Sequence, residues 1–261
     1  MAFDLDSFLA LPRASGLALS PDGTRLVTSV AALAPDRTKY TSALWEIDPV
    51  SRRPSRRLTF SGAGESAPAF LPDGSLLFTS SRPDPGRPAD PGADEPTRLW
   101  LLPADGGEAR PVADPPAGVD AVCTARSASA VVLATGAFPG SGDAAADEAR
   151  EKARKEAGVR GVLFEHYPVR YWDHDLGPRE SRLQATAVDP AADADATNRL
   201  AELVDLTPEP GRALDNAEFV LTPDGATVVA TWLRGELLNQ TADLVAIEVT
   251  GAARRVLAGA P

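Results

Sequence analysis

Apolar positions along this chain fall in short runs separated by turn residues, and three of these runs are continued in the same way. Leu17-Ala18-Leu19, Pro68-Ala69-Phe70 and Glu218-Phe219-Val220-Leu221 each lead into a Pro-Asp-Gly turn, namely Pro21-Asp22-Gly23, Pro72-Asp73-Gly74 and Pro223-Asp224-Gly225. Behind each turn comes a strand-type run: Arg25-Leu26-Val27-Thr28-Ser29, Leu76-Leu77-Phe78-Thr79-Ser80 and Thr227-Val228-Val229-Ala230-Thr231. Proline presets φ at the start of such a turn, aspartate bonds back to the backbone two residues on, and glycine takes the position with positive φ. Three hairpins are predicted.

A third strand follows each hairpin in the same place: Leu44-Trp45-Glu46-Ile47, Leu99-Trp100-Leu101-Leu102 and Leu244-Val245-Ala246-Ile247. Short turns at Asp105-Gly106-Gly107 and Thr250-Gly251 lead to a fourth, Ala109-Arg110-Pro111-Val112 and Arg254-Arg255-Val256-Leu257. Four strands repeated about every 50 residues are the pattern of β-propeller blades. Asp22 and Asp73 are 51 residues apart, but Asp73 and Asp224 are 151 apart. The gap leaves room for a degenerate blade without the Pro-Asp-Gly turn. It would start at Val119-Asp120-Ala121-Val122-Cys123, continue through Val131-Val132-Leu133-Ala134, and reach its third strand at 181–188.

Between those strands, residues 143–158 are rich in Ala, Glu, Lys and Arg, a strong helix-forming stretch with little apolar face. An exposed helix or frayed excursion outside the core is expected there. Leu5, Phe8, Leu9 and Leu11 predict a short helix ending at Pro12. The predicted fold is therefore all-β: a partial propeller of about four four-stranded antiparallel blades over residues 1–261. The blades are expected at 14–60, 66–113, 118–206 and 215–258, with a short N-terminal helix and one charged helical insertion. Large blades of this kind usually come in greater number, so the ring is expected to be incomplete. Its first and fourth blades then keep faces made for an absent neighbour.

Composition narrows the function. Hydrophobic residues make up 43% and charged residues 24%, as in ordinary globular proteins, and 21 Gly with 24 Pro fit many turns. A net charge of -11 argues against broad contact with phosphate backbones, so no nucleic-acid partner is expected. Arg52, Arg53, Arg56 and Arg57 form a local cluster, read as a solvated turn rather than an anion site. No apolar run nears the ~18 residues of a membrane span, and the acidic opening Met-Ala-Phe-Asp-Leu-Asp lacks a signal-peptide pattern. A cytoplasmic location with no membrane partner is expected. The single cysteine, Cys123, allows no internal disulfide and is read as a buried strand thiol.

At this point the chain resembles a known family. The opening Phe-Asp-Leu-Asp-Ser-Phe-Leu-Ala-Leu-Pro-Arg, running into Leu-Ala-Leu-Ser-Pro-Asp-Gly, resembles the start of bacterial prolyl oligopeptidase-family serine peptidases. The acylaminoacyl-peptidase and dipeptidyl-peptidase-like branch is the nearest in kind. A more specific match is Tyr167-Pro168-Val169-Arg170-Tyr171-Trp172-Asp173-His174-Asp175-Leu176-Gly177-Pro178-Arg179 after a charged insertion. The resemblance implies an N-terminal propeller that caps an α/β-hydrolase domain carrying the Ser, Asp and His triad. It also implies peptides as the substrate of the complete enzyme. This chain, with no hydrolase domain, would be the non-catalytic part that gates peptides and docks that domain. The alternative is a stand-alone TolB-like propeller serving as a binding or scaffold module.

Candidate chemistry within the chain is sparse, and no catalytic residue, cofactor or metal is assigned. A hydrolase nucleophile needs a Gly-x-Ser-x-Gly elbow between strand and helix. The nearest string, Gly140-Ser141-Gly142, lacks the pattern and is read as lying in a loop that no buried strand feeds. His166 and His174 are the only imidazoles. His174 sits between Asp173 and Asp175, but strand neighbours point to opposite faces, so a polar strand end is the favoured reading. Asp193-x-Asp195-x-Thr197 resembles the start of a calcium loop, yet Asn198 and Val204 stand where Gly and Glu are needed. Neither a phosphate-cradling Gly-x-x-x-x-Gly-Lys nor a Gly-x-Gly-x-x-Gly after a strand is present. Trp45 and Trp100 hold equivalent strand positions and are expected between blades, whereas Trp172 and Trp232 follow no repeat.

Overall fold

The computed structural model describes residues 4–50, 52–86, 95–164, 169–172, 176–189, 202–235 and 241–259. A helix, α1 (Leu5–Ala10), opens these residues, with Asp4 as N-cap accepting from the Ser7 amide at 2.7 Å. Four antiparallel sheets follow, each built from four strands consecutive in the chain. The first holds β1 (Arg13–Leu19), β2 (Leu26–Leu33), β3 (Tyr40–Ile47) and β4 (Arg56–Arg57). The second holds β5 (Glu65–Phe70), β6 (Leu76–Ser80), β7 (Arg98–Leu102) and β8 (Arg110–Ala113). In the third are β9 (Val119–Thr124), β10 (Ala130–Ala137), β11 (Glu180–Ala187) and β12 (Val204–Asp205). In the fourth are β13 (Phe219–Leu221), β14 (Thr227–Arg234), β15 (Thr241–Glu248) and β16 (Arg254–Ala258).

Two compact units result, one holding the first and second sheets and the other the third and fourth. Each unit buries its core by stacking one sheet on the next. In the first unit, Val27 and Leu44 of the first sheet meet Phe70, Leu76, Phe78 and Trp100 of the second. In the second unit, Val132 and Leu183 of the third sheet meet Leu221, Val228, Ala230, Val245 and Ile247 of the fourth. Registers make these two contacts equivalent. Val27 and Val132 each lie one residue beyond the first pair of their hairpins, Leu19 with Leu26 and Thr124 with Val131. Leu44 faces Ser29, and Leu183 faces Ala134, two residues further along. Successive side chains on a strand point to opposite faces, so each sheet has a Val/Leu face and an opposite face. Within each unit the Val/Leu face of the earlier sheet covers the opposite face of the later one.

Of the two expectations for the insertion, the exposed helix is the one observed, with Asp147 its one buried residue. Residues 144–156 form an ordered helix, α2 (Ala144–Glu156), capped by Asp143, whose carboxylate accepts from the Ala146 amide at 2.7 Å. Ion pairs Lys152–Glu156 and Lys155–Glu151 support its outer side. It is not a frayed excursion, because Asp147 is buried and ties it down. The Asp147 carboxylate accepts from the Phe138 amide at 2.6 Å and from Arg179 at 3.2 Å. Docking by one buried carboxylate leaves almost no trace in an apolar pattern.

Backbone demand at the turns gives a first prediction. Gly74 sits at φ +88°, whereas Gly142 lies outside the left-handed region with no atom near its would-be Cβ. Gly74→Val is expected to cost about 1–3 kcal/mol, since a β-branched side chain is forced to positive φ. Gly142→Val is expected to cost about 0.5 kcal/mol or less. Urea midpoints of the two variants check it; equal shifts would remove φ as the cause.

Candidate functional site

The three repeat turns share one hydrogen-bond scheme. Asp22 accepts from the Ser20 hydroxyl at 2.5 Å, the Thr24 amide at 3.0 Å and the Thr24 hydroxyl at 2.8 Å. Asp73 takes the Ser75 amide and hydroxyl, and Asp224 takes the Thr222 hydroxyl and the Ala226 amide. The Ser20 hydroxyl first, and then Thr24, hold the Asp22 carboxyl down to about 2. A carboxyl that binds its proton less tightly when folded stabilises the fold above its unfolded pKa of about 4. That contribution fades as the pH falls towards 2. The difference in melting temperature between the parent chain and Asp22→Asn is therefore expected to shrink from pH 6 to pH 2. A difference that stays constant over this range would remove the linkage. Glu65 acts in the opposite sense, because burial raises its carboxyl despite bonds from the Thr59 hydroxyl and the Ser61 amide.

Around Ser141 the structure corrects the reading of the loop. The buried strand β10 does feed it directly, and α2 follows, so the serine lies between a strand and a helix. It is still no nucleophile elbow: Pro139 and Asp143 occupy the places of the two outer glycines. Ser141 is 6% exposed; its amide donates to the Phe138 carbonyl at 3.0 Å and its carbonyl accepts from Arg182 at 2.9 Å. Arg182 also donates to the Asp205 carboxylate at 2.8 Å and to the Phe138 carbonyl at 3.3 Å. Arg150, Arg154 and Arg179 surround the Phe138 ring, with Arg179 at 4.2 Å from its centroid. This is a clamp that fixes the 138–142 loop to β11 and α2. Sequence reasoning missed it, although the Arg179 and Arg182 pair opening β11 was its one visible sign.

His166, His174, Asp173 and Asp175 lie outside the described residues, as do Tyr167, Pro168, Asp193, Asp195, Thr197 and Asn198. Among the described residues there is thus no imidazole, and no group of three or more His, Cys, Asp or Glu is placed to hold a metal ion. No helix there is long and apolar enough to cross a membrane. Cys123 is half-buried on β9, and burial pushes its thiol up. Trp172 is 93% exposed, and Trp232 lies under the Arg254 guanidinium at 3.7 Å. The isolated chain is expected to take up no fluorophosphonate and to cleave no aminoacyl chromogenic substrate. Stoichiometric labelling of Ser141, read by mass spectrometry, would overturn this.

Three of the four arginines of the cluster are engaged. Arg56 bonds to Glu46 at 2.9 Å, Arg53 lies 3.7 Å from Asp48, and Arg57 donates to the Thr59 carbonyl at 2.6 Å. Burial works to raise Glu46, but the Arg56 bond and the charges of Arg25 and Arg56 outweigh it and hold the carboxyl low. The groove here, about 760 Å³, is lined by Arg53, Arg56 and Arg57 together with Glu46 and Asp48, so carboxylates offset most of its positive charge.

Within each unit one pair of sheet faces is mated, and the outer faces differ from these in exposure. Trp45 and Trp100 are equivalent in register, facing Thr28 and Phe78 respectively. Trp100 is buried between the sheets and donates to the Ser80 carbonyl at 3.2 Å. Trp45 instead lies on the outer face of the first sheet, half-buried in a shallow cavity of about 370 Å³ with Pro12, Val30, Leu33 and Phe60. On that face Leu19 is 58% exposed, against 5% for Phe70 at the same place in the second sheet. On the fourth sheet's Val/Leu face Leu244 is 40% exposed, against 0% for Leu44.

No family model matches the chain, and no curated protein matches it. Solved structures do. The Pyrococcus horikoshii acylaminoacyl peptidase is similar over 99% of this chain, with TM-score 0.60 and 9% identity. An acylaminoacyl peptidase in complex with Z-Gly-Gly-Phe-chloromethyl ketone is similar over 98%, with TM-score 0.62 and 8% identity. The β-propeller domain of the Trilobed protease from Pyrococcus furiosus is similar over 94% of this chain and 57% of its own length, with TM-score 0.50 and 8% identity. The chain spans 34% of the length of each of the first two. The likeness is one of fold: four-stranded antiparallel sheets arranged as in propeller domains.

Proposed function

We propose that this chain is the non-catalytic propeller portion of a serine peptidase of the prolyl oligopeptidase family. In this role it docks an α/β-hydrolase domain and limits which peptides reach it. The observation that carries the reading is the match of nearly the whole chain to about a third of two acylaminoacyl peptidases. The opening residues of the chain, read on their own, resemble the same branch. The Ser141 clamp and the tied arginines serve structure, which fits a part that leaves chemistry to another domain.

The four sheets are read as blades of an incomplete ring. Among the described residues each is built from four strands consecutive in the chain, as blades are. The Pyrococcus furiosus propeller is itself described as having an open velcro topology. Co-expression with a Gly-x-Ser-x-Gly hydrolase domain, encoded beyond Pro261 or in the neighbouring frame, tests the reading. A co-purifying complex that cleaves acyl-aminoacyl peptides, and takes fluorophosphonate on the hydrolase serine, is expected. A hydrolase that folds and acts without binding this chain would overturn it and favour the stand-alone binding module.

A further inference from the structure

We propose that Asp215 is a proton-operated latch between the loop before β13 and the stretch of chain that carries Tyr171. Protonated, Asp215 keeps that stretch closed on the loop; ionised, it lets it loosen. Every residue involved belongs to the second unit, and the inference rests on no part of the peptidase reading.

The loop itself is under constraint. Glu209 stands at φ +52° and Asn216 at φ +56°, left-handed backbone that persists only where the surroundings enforce it. Three ties do so. Leu214 is buried in the core of the unit, where the neighbouring Ala213 carbonyl accepts from the Leu233 amide at 2.8 Å. Arg212 donates to the Gly177 carbonyl at 2.9 Å and to the Arg179 carbonyl at 3.2 Å. Asp215 makes the third tie, with the Tyr171 hydroxyl in hydrogen-bonding reach. The Val169 carbonyl accepts from the Leu176 amide at 3.1 Å, so Arg212 and Asp215 grip the two sides of one backbone pairing.

Three carboxylates share two guanidiniums at this place. Arg212 stands 3.7 Å from Asp215, while Arg182 is divided between Asp205 at 2.8 Å and Glu180 at 3.6 Å. Arg179 turns its own guanidinium to Asp147 and Glu151. The Asp215 side chain is 5% exposed, and its Oδ2 is buried without a hydrogen-bond partner, as is Oε2 of Glu180. A buried carboxylate oxygen left so is costly when charged and is a ready place for a proton. Burial accordingly raises the Asp215 carboxyl against the pull of Arg212 and Tyr171, and the Glu180 charge adds to the rise. Burial, and then the Asp215 charge, push the Tyr171 hydroxyl up, so Tyr171 keeps its proton and Asp215 is the group that titrates.

The sign follows from linkage. An open latch returns Asp215 to water and to its ordinary range, near about 4. The closed state then binds the proton more tightly, and acid favours closure. As the pH rises through the raised value, closure weakens by up to about tenfold for each unit of the rise.

Hydrogen exchange of the purified chain at pH 5 and pH 8, corrected for intrinsic rates, reads the latch in peptides containing Tyr171 and Gly177. Protection there is expected to fall from pH 5 to pH 8, while the β13–β14 hairpin keeps its own. Asp215→Asn, a neutral substitute for the protonated acid, is expected to hold the pH 5 protection at both values. Glu180→Gln removes the neighbouring charge and is expected to shrink the fall; it carries the test alone if the Asp215 variant does not fold. Tyr171→Phe is expected to bring protection at pH 5 down towards the parent's at pH 8. Protection in the parent that stays constant or rises with pH overturns the inference. So does an Asp215→Asn or Glu180→Gln chain whose protection falls as steeply as the parent's.

Discussion

Replacing Arg182 by methionine is expected to destabilise the chain by about 3–5 kcal/mol, the range for removing one partner of a buried ion pair. The side chain is 3% exposed and lies 2.8 Å from Asp205 and 3.6 Å from Glu180. Its guanidinium also serves the Ser141 and Phe138 carbonyls. Methionine keeps the packed stem but leaves two carboxylates and two carbonyls without that donor. Arg56→Met removes an exposed pair with Glu46 and is expected to cost under about 1 kcal/mol. Urea midpoints at unchanged slope measure both. The Arg182 variant should also become open to proteolysis in the 138–142 loop, which the clamp pins to β11. Similar costs for the two arginines would show that the clamp is not what holds that loop.

Gly225→Val is expected to cost about 3–5 kcal/mol, and Gly23→Val only about 1–3 kcal/mol, although both turns have the same Pro-Asp-Gly sequence. Their φ angles match, +76° and +74°, so the backbone strain is shared. The surroundings differ. A Cβ on Gly225 would stand 2.7 Å from the Ala130 Cβ and 3.3 Å from those of Ala125 and Ala128, whereas Gly23 has nothing within 4 Å. The excess of about 2 kcal/mol is overpacking. The degenerate hairpin of the third sheet causes it by lying against this turn, with the Ser127 amide and hydroxyl both donating to the Pro223 carbonyl. Ala130→Gly in the Gly225→Val background is expected to recover part of the loss, a coupling that a double-mutant cycle reads. Equal costs at Gly23 and Gly225 would mean that the close approach is relieved without strain.

Turn chemistry is local, and for that reason the hairpins were legible in the chain itself. Pro-Asp-Gly sets φ and bonds within five residues, so β1–β2, β5–β6 and β13–β14 can be read without knowing what they pack against. The third strands, with Trp45 and Trp100 in matching places, follow from the same repeat, and the two helices from local spacing and helix-forming composition. What the chain alone did not reveal depends on partners distant in sequence. Asp147 reads as one more acid on a charged helix until Phe138 and Arg179 surround it. Ser141 reads as a loop serine until Arg182, 41 residues on, takes its carbonyl. The strand β12 is only Val204–Asp205, too short to show a period, and exists because Gln184 and Ala185 pair across to it. Trp45 and Trp100 carry the same residue in the same register, and only packing separates them. Trp100 has the Val27 face of the first sheet against it, whereas no such face meets Trp45 within its own unit. Strand period and turn type are written in neighbouring residues; which face is covered is decided by the sheet that comes to lie on it.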